Sequence, residues 1–387
     1  MSEVKRGPCQ PATLLESPSL RNPDPSRLPL LRRAAWSLLL AAALAWCCRA
    51  SGFPAAADGK PGVTAGKLRG MSFAGGWRGG RGVYGSPQSD LSLAALAELG
   101  VDWISVTSFG FQSDPSSARV RWSTEGPEGD ANLLAVAAQA HHRGMRVMLK
   151  PHLWLGRGRG PGDVEPAGAQ GWRDWFAGYR ELILHQAELA SRGGFDAFCI
   201  GNELSSASPH AAEWRQIIAE VRRRYHGPLT YGANVEEVFA VPFWRELDWI
   251  GVSAYFPLVA ERSPGPEAIA AAWQPIAGRL GELARRTGRP IVFTELGYRS
   301  ADFAAWKQWL IDDRAAVNLE VQAAAYQAFF EAVWPRPWLK GVFWWKWFSY
   351  PDHSSPASNQ YEIEHKPAAQ VLRRFFAGPP AGSRLPQ

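Results

Sequence analysis

From about residue 66 onward the chain alternates short apolar runs with amphipathic stretches, eight times over, and no other feature narrows the fold so far. The strand candidates are Arg69–Gly75, Asp102–Gln112, Arg146–Leu155, Ala197–Leu204, Leu229–Val235, Asp248–Pro257, Pro290–Tyr298 and Leu339–Phe348. Helical spacing lies between them. It is clearest where Trp172, Trp175, Phe176, Tyr179, Leu182, Ile183 and Leu189 share a face and Gly193-Gly194 stops the run. Asp130 is expected to cap Ala131–His142, and Pro266 to open Glu267–Arg286. Glu320–Val333 and Pro367–Phe376 supply the last two helices. The fifth unit is thin, because only Val235–Leu247 separates its strand from the next. Repeated strand–helix alternation implies parallel strands joined by right-handed crossovers, and eight such units close on themselves. An open doubly wound sheet would also alternate, but Gly75-Gly76-Trp77 lacks the GxGxxG spacing of a phosphate-binding turn. The expected fold is a single (β/α)8 TIM barrel over residues 61–378, preceded by a disordered, signal-like leader (1–60) and followed by a flexible tail (379–387).

Charge excludes one class of partner. The net charge is +6, but residues 1–60 hold eight basic and four acidic residues and so carry +4 of it. The remainder has no basic stripe interleaved with aromatics, which argues against nucleic acid. In the leader, Arg32-Arg33 precede the apolar stretch Ala34–Trp46, with small residues at Ala50-Ser51 and Ala55–Ala57. That order reads as an export signal, with a periplasmic, extracellular or membrane-anchored destination, and an uncleaved anchor stays open. Of four cysteines only Cys199 falls in the barrel, so an intradomain disulfide is impossible there. No His/Cys/Asp cluster has metal-ligand spacing, so neither a metal nor a cofactor is expected. The 19 Trp are the compositional anomaly. Burial accounts for some, but indoles also suit sugar binding, since the ring stacks on pyranose C–H faces and the N–H bonds hydroxyls.

In such barrels chemistry sits at the C-terminal ends of the strands. Two carboxylates stand there: Glu203 after Phe198-Cys199-Ile200-Gly201-Asn202, and Glu295 after Ile291-Val292-Phe293-Thr294. Strict alternation puts Cys199, Gly201 and Glu203 on one face, and likewise Ile291, Phe293 and Glu295. Either Glu alone is as readily explained by capping a helix or pairing with an Arg; the pair on strands four and seven is far more specific. Lys150 and His152 share a parity at the rim of strand three, where they are candidates for binding hydroxyls, and Asn234 ends strand five in a similar position. Trp77 and Trp154 lie in the loops after strands one and three, placed for flanking sugar sites or for burial beneath a neighbouring loop. In strand eight Trp345 and Trp347 share one face, and Trp344 and Lys346 the other.

An Asn-Glu pair ending strand four with a Glu ending strand seven resembles the signature of clan A of the retaining glycoside hydrolases. Finer features resemble glycoside hydrolase family 113, the β-mannanases and relatives. They are Arg69-Gly70-Met71-Ser72-Phe73, Lys150-Pro151-His152, Gly201-Asn202-Glu203-Leu204, Thr294-Glu295-Leu296-Gly297-Tyr298 and Gly341-Val342-Phe343-Trp344-Trp345-Lys346-Trp347. The resemblance covers roughly residues 66–376. It implies Glu203 as general acid/base, Glu295 as nucleophile, Asn202 on the sugar 2-hydroxyl and Tyr255 hydrogen-bonded to the nucleophile. It also implies a strand-eight Trp beneath the sugar at the cleavage point, for which Trp345 is chosen, with Trp347 next and Trp344 facing the outer core. Such chemistry retains the anomeric configuration, and its partner is a β-linked oligo- or polysaccharide. A transglycosylase with the same site, or a non-catalytic carbohydrate-binding or structural barrel, are the competing expectations.

Overall fold

The structure, a computed structural model, describes residues 66–76, 82–156 and 158–377. Eight parallel strands close into a barrel: β1 (Leu68–Ala74), β2 (Trp103–Val106), β5 (Arg146–Leu149), β7 (Ala197–Asn202), β8 (Leu229–Ala233), β9 (Ile250–Ser253), β10 (Ile291–Leu296) and β11 (Leu339–Phe348). β11 returns to pair with β1, from Leu68 beside Gly341 to Ala74 beside Phe348. The expected (β/α)8 barrel is therefore present. The leader with its apolar stretch, the tail and Trp77 lie outside the described residues. Among those described, no helix is long and apolar enough to cross a membrane.

Two of the expected strands are each divided. The second breaks after Val106 and resumes as β3 (Phe109–Gln112), and the third breaks after Leu149 and resumes as β6 (His152–Leu155). Pro151 has no amide to offer the ladder, so pairing cannot run through it. Beyond the breaks β3 pairs parallel with β6, and β4 (Arg121–Trp122) adds antiparallel to β3 as a small sheet above the barrel mouth.

Among the described residues seven helices cover the barrel: α1 (Pro87–Glu98), α2 (Asp130–His142), α3 (Gly168–Arg192), α4 (Ala211–Arg222), α5 (Pro266–Thr287), α6 (Leu319–Ala332) and α7 (Pro367–Phe376). Their ends follow local chemistry. The Ser86 hydroxyl accepts from the Ser89 amide ahead of α1, and the Asn318 side chain accepts from the Val321 amide at 3.2 Å ahead of α6. Gly288, at φ 71°, ends α5 in the left-handed region. One expected cap is corrected. Gly129 caps α2 through its extended backbone, while Asp130 is the first helical residue and its carboxylate turns to His185 and Arg192. The thin fifth unit has only the short 3-10 turns Glu237–Phe239 and Trp244–Glu246 in place of a helix.

The core has two layers. A large one lies between strands and helices, where Trp175, Trp214, Trp273 and Trp344 are wholly buried. A smaller one fills the barrel itself: Leu68, Trp103, Met148, Ala197, Cys199, Trp249, Val292 and Phe343, with Trp103 edge-on to both Trp249 and Phe343 at 6.2 Å. Cys199 is a core residue here. These side chains come mostly from the N-terminal halves of the strands, so that end is plugged and any cavity must open at the other.

Candidate active site

Glu203 follows β7 directly. Between Cys199 and Asn202 that strand spends one residue more than β8 does, a bulge that lets Asn202 and Glu203 both face the mouth. Glu203 has φ 58°, an uncommon conformation for a residue with a side chain, and hydrogen bonds on both sides hold it. Its amide donates to the Gly232 carbonyl at 2.7 Å, and the next amide, Leu204, donates to the Tyr231 hydroxyl at 2.9 Å. That hydroxyl donates to Glu237 Oε1 at 2.6 Å. The Glu237 carboxylate also accepts from the Asn234 amide at 3.0 Å and from the Ser205 hydroxyl at 3.3 Å. A buried carboxylate with three donors thus straps down the turn that carries Glu203.

Glu295 stands inside β10, also behind a bulge: Phe293 lies beside Val252, yet Glu295 lies beside the very next residue, Ser253. Expected alternation is corrected here. Phe293 and Ile291 face the helices, Phe293 against Trp273 at 6.0 Å, whereas Val292 belongs to the barrel interior. The bulge is what returns Glu295 to the cavity. Its carboxylate accepts from Lys150 Nζ, from Asn202 Nδ2 at 3.4 Å and from the Tyr255 hydroxyl at 3.1 Å. Lys150 is almost wholly buried, and its ammonium also lies 5.6 Å from the centre of the Trp345 ring. His152 Nδ1 is 3.2 Å from Asn202 Nδ2 and fixes that amide from behind.

Both carboxyls line one cavity of about 1000 Å3, with Lys150, His152, Asn234, Tyr255 and Trp345 around them. Their environments separate their proton affinities. Burial, then the negative charge of Glu295, pushes Glu203 up to about 7. Burial alone would raise Glu295 as well, but the Lys150 ammonium and the donors around it overcome burial and hold it below the ordinary glutamate value. Burial brings His152 down to about 4, so near neutrality the ring is uncharged and adds no positive charge beside Lys150. Below about pH 7 Glu203 therefore holds its proton, while Glu295 is the more readily ionised of the two.

Residues 71–366 match the model of Glycoside Hydrolase Family 113. The chain belongs to glycoside hydrolase family 113. Among solved structures, a GH113 β-mannanase from Alicyclobacillus acidocaldarius, AaManA in complex with ManMIm, is 31% identical, with 81% of this chain and 98% of that one aligned at a TM-score of 0.72. A second GH113 β-1,4-mannanase is 25% identical over 80% of this chain and 99% of the other, at 0.71. A family 5 mannosidase from Rhizomucor miehei, 12% identical over 80% and 92% at a TM-score of 0.54, shares the fold. No curated protein matches the chain.

As a family 113 glycoside hydrolase the protein brings together most, not all, of the residues its sequence singled out. Lys150 is turned to Glu295 rather than outward to the open cavity. The Asn234 side chain lines the cavity but already donates to the Ser205 hydroxyl at 3.1 Å. Trp344 faces outward as expected, stacked on Tyr326 at 3.8 Å. Trp347 is corrected: it is buried, its Nε1 donates to the Ser92 hydroxyl at 2.8 Å, and it packs on His353 at 4.7 Å. A bulge explains this, since Met71 to Phe73 on β1 spans Trp344 to Trp347 on β11. In that extra step Trp345 and Lys346 both reach the cavity, and Phe348 follows. Trp154 is exposed on β6 near Phe109, outside the cavity wall.

Lys346, expected on the outward face with Trp344, is corrected to the cavity wall, and three further lining residues carried no sequence signal: Glu237, Trp309 and Tyr361. Glu237 belongs to the helix-less fifth unit, and the other two to loops, where periodicity is silent. Among the described residues, Asp352, Glu364 and His365 bring possible metal-ligand atoms within 4.8 Å of one another. They lie beyond β11 and off the cavity wall, and Glu364 there accepts from the Asp352 and His353 amides.

Proposed function

We propose that the protein is a retaining β-glycosidase acting on β-1,4-mannan or a closely related β-linked glycan, with Glu203 as general acid/base and Glu295 as nucleophile. The observation that carries this reading is a single cavity lined by both Glu203 and Glu295, in which Glu295 alone of the two accepts from Lys150, Asn202 and Tyr255. Ionised Glu295 attacks the anomeric carbon while Glu203 passes its proton to the departing glycosidic oxygen, leaving a glycosyl ester on Glu295. Glu203, now a carboxylate, takes a proton from water, and the hydroxide equivalent displaces Glu295 from the sugar. Each carboxylate ends as it began. Asn202, its Nδ2 fixed against Glu295 and His152, is positioned to meet the sugar 2-hydroxyl, and Trp345 offers the ring beneath that sugar. The mannan preference is supported by the two family relatives described as β-mannanases. Export is part of the same proposal, supported by Arg32-Arg33 ahead of the apolar run Ala34–Trp46.

Proton NMR during hydrolysis tests the reading directly. The first-formed product should keep the β configuration, as expected of carboxyls about 5–5.5 Å apart. Glu295→Ala should abolish turnover, with azide restoring some of it as the inverted glycosyl azide. Glu203→Ala should lose about 100- to 10,000-fold on substrates with poor leaving groups and far less on activated aryl glycosides. An α product from the wild-type protein would overturn the assignment of Glu295. Transfer of the glycosyl unit to sugar in preference to water would mark the protein as a transglycosylase.

A further inference from the structure

Trp309 is an indole that folding does not need buried. It is 52% exposed, it lines the cavity that holds Glu203 and Glu295, and it has no aromatic, cationic or hydrogen-bonding partner among the described residues. Its backbone, by contrast, is firmly held. It sits in the short turn Gln308–Leu310, whose Gln308 is buried. The Gln308 amide group accepts from the Arg299 amide at 2.9 Å and donates to the Gly297 carbonyl at 2.5 Å, tying the turn to the chain just past Glu295. On the far side, Arg299 donates to the Ile311 carbonyl at 2.7 Å and pairs with Asp313 at 2.8 Å, while Asn359 Nδ2 donates to the Asp313 and Ala315 carbonyls at 3.0 and 2.9 Å.

A large apolar ring held in water by a rigid bracket gains nothing for the fold, because burial of such a ring is what stabilises a protein. It does present a pre-ordered flat surface at the rim of a cavity lined by polar groups. From this we infer that Trp309 forms a distal sugar subsite: it stacks on a pyranose of the same β-linked chain, beyond the sugars that meet at the cleavage point. The C–H face of that ring covers the indole, and the free indole N–H meets a hydroxyl. Because the bracket fixes the ring beforehand, little ordering entropy opposes the contact. Chain-length preference is the consequence. Substrates long enough to reach Trp309 gain from it, and short ones do not. The inference rests on the proposed glycosidase reading and specifies its substrate as an oligomer or polymer.

The test compares kcat/KM for β-1,4-mannohexaose with that for an aryl β-mannobioside, using the full chain. In Trp309→Ala the hexaose-to-bioside ratio should fall about fivefold or more, and Trp309→Phe should recover part of it. Leu310→Ala is the control, since Leu310 is 72% exposed on the same turn but does not line the cavity. An unchanged ratio in Trp309→Ala, or an equal fall in Leu310→Ala, overturns the inference while leaving the glycosidase reading intact. If the wild-type protein hydrolyses no mannan, calorimetric binding of manno-, cello- and xylo-oligosaccharides takes over as the readout. A gain in affinity with chain length that Trp309→Ala removes supports the subsite, whereas a gain that persists, or no binding at all, refutes it.

Discussion

The decisive contacts at the residue scale are those that set two glutamates apart. Lys150 lowers Glu295 and, more weakly, Glu203, so its removal acts on both in the same direction. Lys150→Met should raise the proton affinity of each. On the proposed mechanism kcat/KM needs Glu295 ionised and Glu203 protonated, so activity is lost below the first pKa and above the second. The acid limb of the pH profile should therefore move up, and the basic limb, expected near 7 in the wild type, should move up with it. The check is kcat/KM against pH between about 3 and 9. A uniform loss of rate with both limbs in place would mean that Lys150 acts by shape rather than by charge.

Bulges, at the scale of elements, decide which way side chains point. Each of β7, β10 and β11 has one beside the residues it sends into the cavity, and each reverses the alternation that a straight strand would follow. The two adjacent tryptophans of β11 consequently live in different surroundings. Trp344 is wholly buried against Tyr326 and Phe329, whereas Trp345 is partly exposed in the cavity. Trp344→Ala should cost about 3–5 kcal/mol of stability, the usual result of emptying a buried indole site. Trp345→Ala should melt close to the wild type but show a raised KM. Urea denaturation alongside steady-state kinetics separates the two. Equal destabilisation by both substitutions would contradict the packing described for β11.

For the whole molecule, the barrel is plugged at one end and open at the other, so stability and chemistry are divided between the two ends of the same strands. The division is incomplete, because the buried Glu203 must ionise as pH rises. Its ordinary value is 4.5 and its folded value is about 7. Between these, the unfolded chain loses its proton first, so the folded state is progressively disfavoured as pH rises and the deficit is complete above about 7. Glu203→Gln removes the titration. Relative to the wild type it should gain on the order of 2–3 kcal/mol between pH 5 and pH 8, measured by denaturation at the two values. A gain that does not depend on pH would rule out burial of the charge as its source.

The fold was legible in the order of apolar runs, because eight strand–helix alternations leave few ways to cover every strand. That Glu203 and Glu295 share one cavity was legible too, since barrels open at strand ends and both residues end apolar runs. Strand parity was not. Simple alternation puts Trp347 on the face of Trp345, Lys346 on that of Trp344 and Phe293 on that of Glu295, yet a bulge depends on how a neighbouring strand pairs and leaves no mark in its own sequence. Nor does local pattern reveal Glu237 or Trp309, which reach the cavity from the helix-less fifth unit and a bracketed loop. Sequence by itself determined the order of the barrel strands and the helices between them, because that depends on short-range periodicity. Tertiary structure alone decided which ends meet, which carboxyl keeps its proton and which indole stays exposed, because burial and charge pairing arise only from residues far apart in the chain.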